Sequence, residues 1–363
     1  MPRRRDRGQS AAAMSASEIS ATAGRQVRAE WAVRRWLLAV AALVFVMVSV
    51  GGATRLTGSG LSITEWQPII GTIPPLSDKA WQDAFDRYRQ IPQYKQINRG
   101  MSLAAFKAIY WWEWSHRFLG RLIGVVFLVP FVYFLATGAI SRALAPKLAG
   151  IFVLGGLQGA VGWFMVRSGL AERTDVSQYR LALHLALAVA ILGAVLWLAL
   201  SLGSREERER EAPHPLARSA AVLVGLVFVQ VVLGAFVAGL KAGAGYNTWP
   251  LMDGRLIPQG LGAMQPWYLN LFENALTVQF NHRVAAYVLV AAALWHAWAL
   301  SREADRAARQ SGLVLALAVL AQAALGIWTL LAQVPLSLGL AHQAGAAAVF
   351  AIAVWHLHVL RRA

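Results

Sequence analysis

The chain has 363 residues, 57% hydrophobic and only 14% charged, with no cysteine and a net charge of +16. A soluble domain is about 25% charged, so this chain lacks the polar side chains to cover a water-facing surface and reads as a membrane protein. The absence of cysteine excludes a disulfide scaffold, a thiolate zinc centre, a cysteine-held iron–sulfur cluster and covalent c-type haem, leaving nitrogen and oxygen to hold any metal. The basic residues lie between apolar runs and do not gather on a soluble face, which speaks for membrane topology and against a nucleic-acid partner.

In chain order, residues 1–35 form a tail rich in Arg, Ala and Ser (Arg3, Arg4, Arg5, Arg7, Arg25, Arg28) with no apolar core. It is not a cleavable secretory signal; it reads as a disordered basic tail on an anionic leaflet or as a transit peptide. Eight stretches are long and apolar enough to cross about 30 Å of hydrocarbon. They lie near Trp36–Thr54, Trp112–Thr137, Lys147–Val166, Tyr179–Leu202, Ala217–Leu240, Ala275–Leu300, Gly312–Leu331 and Leu338–Leu360. The long connection 55–111 contains an expected interfacial helix near Asp78–Tyr88, and the polar segment 204–216 reads as a linker. The expected organisation is therefore a first four-helix half over 36–203 and a second over 217–363. Tails and loops on the side of the termini hold nineteen Lys/Arg; the other side holds twelve, seven of them in the loop 55–111. The imbalance predicts that both termini face the cytoplasm or matrix, in a bacterial inner membrane or, in a eukaryote, the mitochondrial one.

The two halves repeat. Thr57-Gly58-Ser59-Gly60, Trp66, Gly71 and Pro74 in the first are answered by Ala242-Gly243-Ala244-Gly245, Trp249, Gly254 and Pro258 in the second. Ser115-His116-Arg117 is answered by Asn281-His282-Arg283, and Leu183-His184 by Ala341-His342. Four spans per copy give both copies the same orientation, so the expected fold is an all-α integral membrane protein of two parallel-repeat bundles.

Eight histidines are present. His214 falls in the linker, His356 and His358 at the inner end of span eight, and His296 deep in span six, where a backbone carbonyl would satisfy it. His116, His184, His282 and His342 fall on spans two, four, six and eight, four to eight residues in from the outer side. Ionisable groups inside a membrane point to function, and four imidazoles at one level on alternate helices suit two bis-histidine haem sites. A small residue follows each at i+4 (Gly120, Ala188, Ala286, Ala346). Structural histidines bonded to backbone are the plainer alternative; a zinc or copper site would call for i, i+3 or i, i+4 pairs or carboxylate partners. Arg117 and Arg283, each next to a candidate ligand, suit haem propionates or snorkelling to lipid head groups.

The halves differ at one informative position. Glu113 lies three residues before His116, whereas Gln279 lies three before His282. A carboxylate within a turn of a ligand can act as a base or stabilise developing positive charge, which an amide of similar shape cannot do; alternatively Glu113 pairs with Arg117 at i+4. The long first loop is placed to lid that site.

The string Gly51-Gly52-Ala53-Thr54-Arg55-Leu56-Thr57-Gly58-Ser59-Gly60-Leu61-Ser62 closely resembles the haem A synthase family. So do Trp66-x-Pro68-x-x-Gly71-x-x-Pro74-Pro75, Glu113-Trp114-Ser115-His116-Arg117, Asn281-His282-Arg283 and Ala341-His342-Gln343, and the resemblance covers everything after the tail. It implies an oxidoreductase of cytochrome oxidase assembly that converts haem O to haem A by oxidising a porphyrin methyl group to formyl. It further implies that His116 and His184 flank the substrate haem iron, that Glu113 is the catalytic carboxylate, and that His282 and His342 ligate the iron of a haem b. Expected partners are haem O itself, membrane lipid, the haem O synthase that supplies the substrate, and an electron carrier; a homo-oligomer is compatible with the sequence. Some members carry a cysteine pair in the outer loops, and this chain resembles the cysteine-free mitochondrial and alphaproteobacterial type. A dihaem b-type electron-transfer protein would need the same four histidines without Glu113, and a parallel-repeat transporter would use them structurally.

Overall fold

The computed structural model describes residues 16–67, 69–171, 173–202 and 214–362. The linker residues 204–213 and the tail residues 1–15 lie outside the described residues. Helices account for all the regular structure described, apart from one isolated bridge between Met252 and Arg255. They are α1 (Ala16–Leu56), α2 (Asp78–Tyr88), α3 (Pro92–Gln96), α4 (Leu103–Ala136), α5 (Ala145–Leu170), α6 (Gln178–Ser201), α7 (Ala217–Gly239), α8 (Ala242–Gly245), α9 (Ala275–Leu300), α10 (Arg306–Leu331) and α11 (Leu336–Arg362). Among the described residues, eight are long and apolar enough to cross a membrane: α1, α4, α5, α6, α7, α9, α10 and α11. In hydrocarbon every backbone amide must be satisfied within its own segment, and an unbroken helix does this.

Two boundaries differ from expectation. Residues 16–35 are not a disordered tail: α1 begins at Ala16 and continues without a break into the first span. That segment is rich in Ala, Arg and Glu, all strong helix formers. At the other end of the hairpin, α4 starts at Leu103, nine residues before the expected span, capped by Ser102 Oγ accepting from Ala105 N at 3.2 Å.

The spans close into two rings. In the first, α1 packs on α4, α4 on α5, α5 on α6 and α6 back on α1; in the second, α7 packs on α9, α9 on α10, α10 on α11 and α11 back on α7. Each ring has its own apolar centre. One gathers Leu37, Val44, Phe127, Leu148 and Val195, the other Val227, Leu289, Leu315 and Phe350. The rings meet through α1, α6, α7 and α11. Polar ties reinforce that seam: Gln343 Nε2 donates to Val48 O at 2.6 Å, and the Arg55 guanidinium donates to Ala238 O.

The helix expected over Asp78–Tyr88 has those bounds, begun by Ser77 as its cap. Its apolar side, Trp81, Phe85 and Tyr88, is buried against Phe106 and Tyr110 of α4. The most exposed apolar residues in this loop include Ile69, Ile70, Ile73 and Leu76. Three hydrogen bonds fix the cover in place. Asn98 Nδ2 donates to Tyr88 Oη at 2.7 Å, Tyr88 Oη to Gln93 Oε1 at 3.0 Å, and Gln93 Nε2 to Gly58 O at 3.0 Å, just beyond the end of α1. Phe106 is fully buried in this cluster. Phe106→Ala should cost about 3–5 kcal/mol and release the cover locally: hydrogen exchange of the 78–98 amides will accelerate, and unchanged protection there would contradict this packing.

Candidate histidine-paired site

The four outer histidines come in two pairs. His116 on α4 and His184 on α6 belong to the first ring, and His282 on α9 and His342 on α11 to the second. His184, His282 and His342 lie within the first two turns of their helices; His116 lies thirteen residues into α4, because the extra turns of that helix carry the outer cover.

Each imidazole is seated on a glycine of the neighbouring odd-numbered span. A methyl group added to Gly51 of α1 would stand 3.0 Å from His116 Nε2, and one at Gly162 of α5 would stand 2.9 Å from His184 Cε1. In the second ring the corresponding distances are 3.2 Å from Gly234 of α7 to His282 Cε1 and 2.8 Å from Gly326 of α10 to His342 Cε1. A side chain at any of these positions would displace the ring, so close approach is what the glycines provide. No three His, Asp or Glu gather as a metal cluster among the described residues; the imidazoles come as pairs. Paired neutral imidazoles in a glycine-lined interior, one of them with a buried Nδ1 (His184) that has no hydrogen-bond partner, fit axial ligation of a haem.

A turn before each ligand the two halves diverge. Glu113 is buried at 2% exposure, and its carboxylate is fully engaged. Oε2 accepts from Ser62 Oγ at 2.8 Å and from Ile63 N at 2.7 Å; Oε1 pairs with Arg117 Nη2 at 2.5 Å. The i, i+4 pairing weighed against a purely chemical role is therefore present. In the second half Gln279 Nε2 donates to Tyr246 O at 2.8 Å, and its Oε1 is buried without a partner. The two arginines do matching work: Arg117 donates to Ile63 O at 2.7 Å and Glu65 O at 2.9 Å, and Arg283 donates to Tyr246 O at 2.9 Å. Both tie the first residues of an outer loop down over a histidine. Neither points freely to lipid: Arg283 spends its donors on backbone carbonyls, and Arg117 divides its donors between backbone carbonyls and the Glu113 carboxylate.

The remaining histidines group elsewhere. His296 is not satisfied by a carbonyl. Its Nε2 lies 2.8 Å from His356 Nε2, and Ser219 Oγ and Ser311 Oγ lie 2.9 Å from the outward Nδ1 atoms of the two rings. One proton shared between the facing nitrogens and one hydroxyl at each end satisfy this buried chain as a structural unit. His214 Nδ1 accepts from Leu216 N at 3.1 Å, and His358 sets its ring edge-on to Trp197.

Sequence reasoning missed three glutamines. Gln158 Nε2 donates to His184 O at 3.0 Å, Gln230 Nε2 to His282 O at 3.0 Å and Gln322 Nε2 to His342 O at 2.7 Å. Each stands four residues before the glycine that seats the same ring. The signal was present as Gln-x-x-x-Gly on spans three, five and seven.

A multi-pass helical membrane protein with two histidine pairs seated on glycine is the class that fold and site define. Residues 34–354 match the family described as cytochrome oxidase assembly protein, and the chain belongs to that family. It is 58% identical over 331 residues to the heme A synthase of Parvibaculum lavamentivorans, covering 91% of this chain and 95% of that one. It is 57% identical over 331 residues to that of Azorhizobium caulinodans (91% and 94% covered) and 51% identical over 347 residues to that of Mesorhizobium japonicum (95% of each).

Gly326→Val should push the His342 ring out of its seat. Haem in the purified chain, assayed as pyridine haemochrome, will fall by about half relative to wild type if each pair holds one haem; unchanged haem content would contradict the seating role.

Proposed function

We propose that the chain is a haem A synthase, an oxidoreductase that converts the substrate haem O to haem A in cytochrome oxidase assembly. One observation carries this reading beyond the family: of the two histidine pairs, one has the buried carboxylate of Glu113 beside it and the other the amide of Gln279. His116 and His184 hold the substrate haem, and His282 and His342 hold a haem b. Haem b supplies one-electron redox chemistry when bound. The chain's own part is to fix two imidazoles per site, to keep water out with the outer covers, and to present charge at one place.

Turning a methyl into a formyl group is a four-electron oxidation of the carbon: with water as the oxygen source, the carbon gives up two electrons and two protons on becoming the alcohol and two more of each on becoming the gem-diol, which loses water to leave the aldehyde. Positive character developing at the ring methyl is stabilised by a preorganised anion in a low-dielectric pocket. Glu113 suits that role better than that of a mobile base, because three donors already hold its two oxygens. Gln279 carries no charge to offer, which leaves the second pair to electron transfer. Charge asymmetry supports termini on the cytoplasmic side of a bacterial inner membrane, or on the matrix side in a mitochondrion. A haem O synthase delivers the substrate, and an electron carrier takes up the electrons removed.

The test is Glu113→Gln. The purified variant should retain bound haem but accumulate haem O or its alcohol, identified by extraction and chromatography, with haem A formation reduced at least 100-fold, on the order of the loss of one preorganised charge. Undiminished haem A formation would overturn the assignment.

A further inference from the structure

Three of the four outer histidines have an amide beside them, and one does not. Gln158, Gln230 and Gln322 each stand four residues before a seating glycine; the same position before Gly51 is Met47. Each amide reaches both the carbonyl of its histidine and a ring nitrogen. Gln322 Nε2 lies 3.0 Å from His342 Nδ1, Gln230 Nε2 lies 3.1 Å from His282 Nδ1, and Gln158 Nε2 lies 3.5 Å from His184 Nε2. The Oε1 atoms of Gln158 and Gln230 are buried and unpartnered. At the fourth position the Met47 methyl fills the space instead, within 3.2 Å of where a Cβ on Gly120 would be.

An imidazole that gives its Nε2 lone pair to a metal carries its proton on Nδ1, and an acceptor for that proton orients the ring and raises its basicity. Here the orientation comes from the amide's Nε2–H, which donates to the histidine's own carbonyl and so holds the side chain against the ring edge. A thioether is a weak acceptor and does neither task well.

We propose that Gln158, Gln230 and Gln322 are positioning residues that anchor His184, His282 and His342 as ligands, that Met47 withholds this support from His116, and that His116 is thereby the ligand that yields when haem is exchanged. This rests on the reading that the four histidines hold haem. The second pair is then anchored on both sides and keeps its haem, while the first is anchored on one side only. That asymmetry is what a site needs if substrate enters and product leaves through it.

Haem transfer from the full-length, haem-loaded protein in detergent to excess apomyoglobin tests the proposal, alongside the ferric low-spin electron paramagnetic resonance signal. Wild type should release haem in two phases. Met47→Gln, nearly neutral in volume, should slow the fast phase about tenfold; Gln230→Leu and Gln322→Leu should each speed the slow phase about tenfold, and Gln322→Glu, whose carboxylate cannot donate to the His342 carbonyl, should speed it likewise. Should Met47→Gln not fold, as judged by its thermal transition, the two second-pair variants decide alone. A low-spin bis-imidazole signal with release rates unchanged within twofold in the variants would overturn this inference and leave the haem reading intact. No such signal in wild type would overturn both.

Discussion

Placing an imidazole inside a hydrocarbon-filled bundle is the demand on which the structure turns. The ring must be admitted, which takes a backbone without a side chain opposite it, and its polar edge must be met, which takes a donor or acceptor that is itself buried. Gly51, Gly162, Gly234 and Gly326 answer the first requirement. They also set how near α1, α5, α7 and α10 come to the histidine-bearing helices, so helix spacing and site geometry are a single property of the bundle. The glutamines one turn away bring an amide to the ring edge at three of the four places.

Repetition of this unit made divergence informative. The two rings share glycine seats, outward arginines that hold a loop, and glycine-rich turns leading to a tryptophan. Against that background two substitutions stand out, both beside His116: a carboxylate where the other ring has an amide, and a thioether where the other three histidines have one. The first changes the charge that a bound substrate would feel, and the second changes how firmly its ligand is held. Chemistry and exchange thereby fall on the same half, while the other half keeps a more uniform polar frame. Gln343, the neighbour of His342, bonds to Val48 of α1 one turn before Gly51, so the two sites are joined across the seam by a short stretch of chain.

The outer covers show the same economy of parts. Arg117 and Arg283 each grip the carbonyls of an incoming loop, but the first loop adds an aromatic cluster on the elongated α4 and a hydrogen-bonded chain through Tyr88, Gln93 and Gly58. Glu113 is built into that cover through Ser62 and Ile63. The carboxylate is thus both a charge at the site and a fastener of the lid above it.

Composition and the spacing of apolar runs were enough to determine the membrane class and eight spans, because the bilayer imposes one length on every crossing. Internal repetition singled out His116, His184, His282 and His342, together with the Glu113 and Gln279 contrast, since those differences lie within aligned copies. What faces each histidine was hidden, because a glutamine or glycine on an apolar helix has no sequence signature until it is known which helices adjoin. Only the tertiary structure placed α5, α7 and α10 against the ligand helices and gave meaning to Gln-x-x-x-Gly. It also showed that the apolar side of the Asp78–Tyr88 helix is buried against α4, that His296 pairs with His356, and that Arg117 holds Glu113 and a loop. Apart from the i, i+4 pairing of Glu113 with Arg117, which the spacing already allowed, those contacts join residues far apart in the chain, 60 positions for His296 and His356, and local pattern carries no record of them.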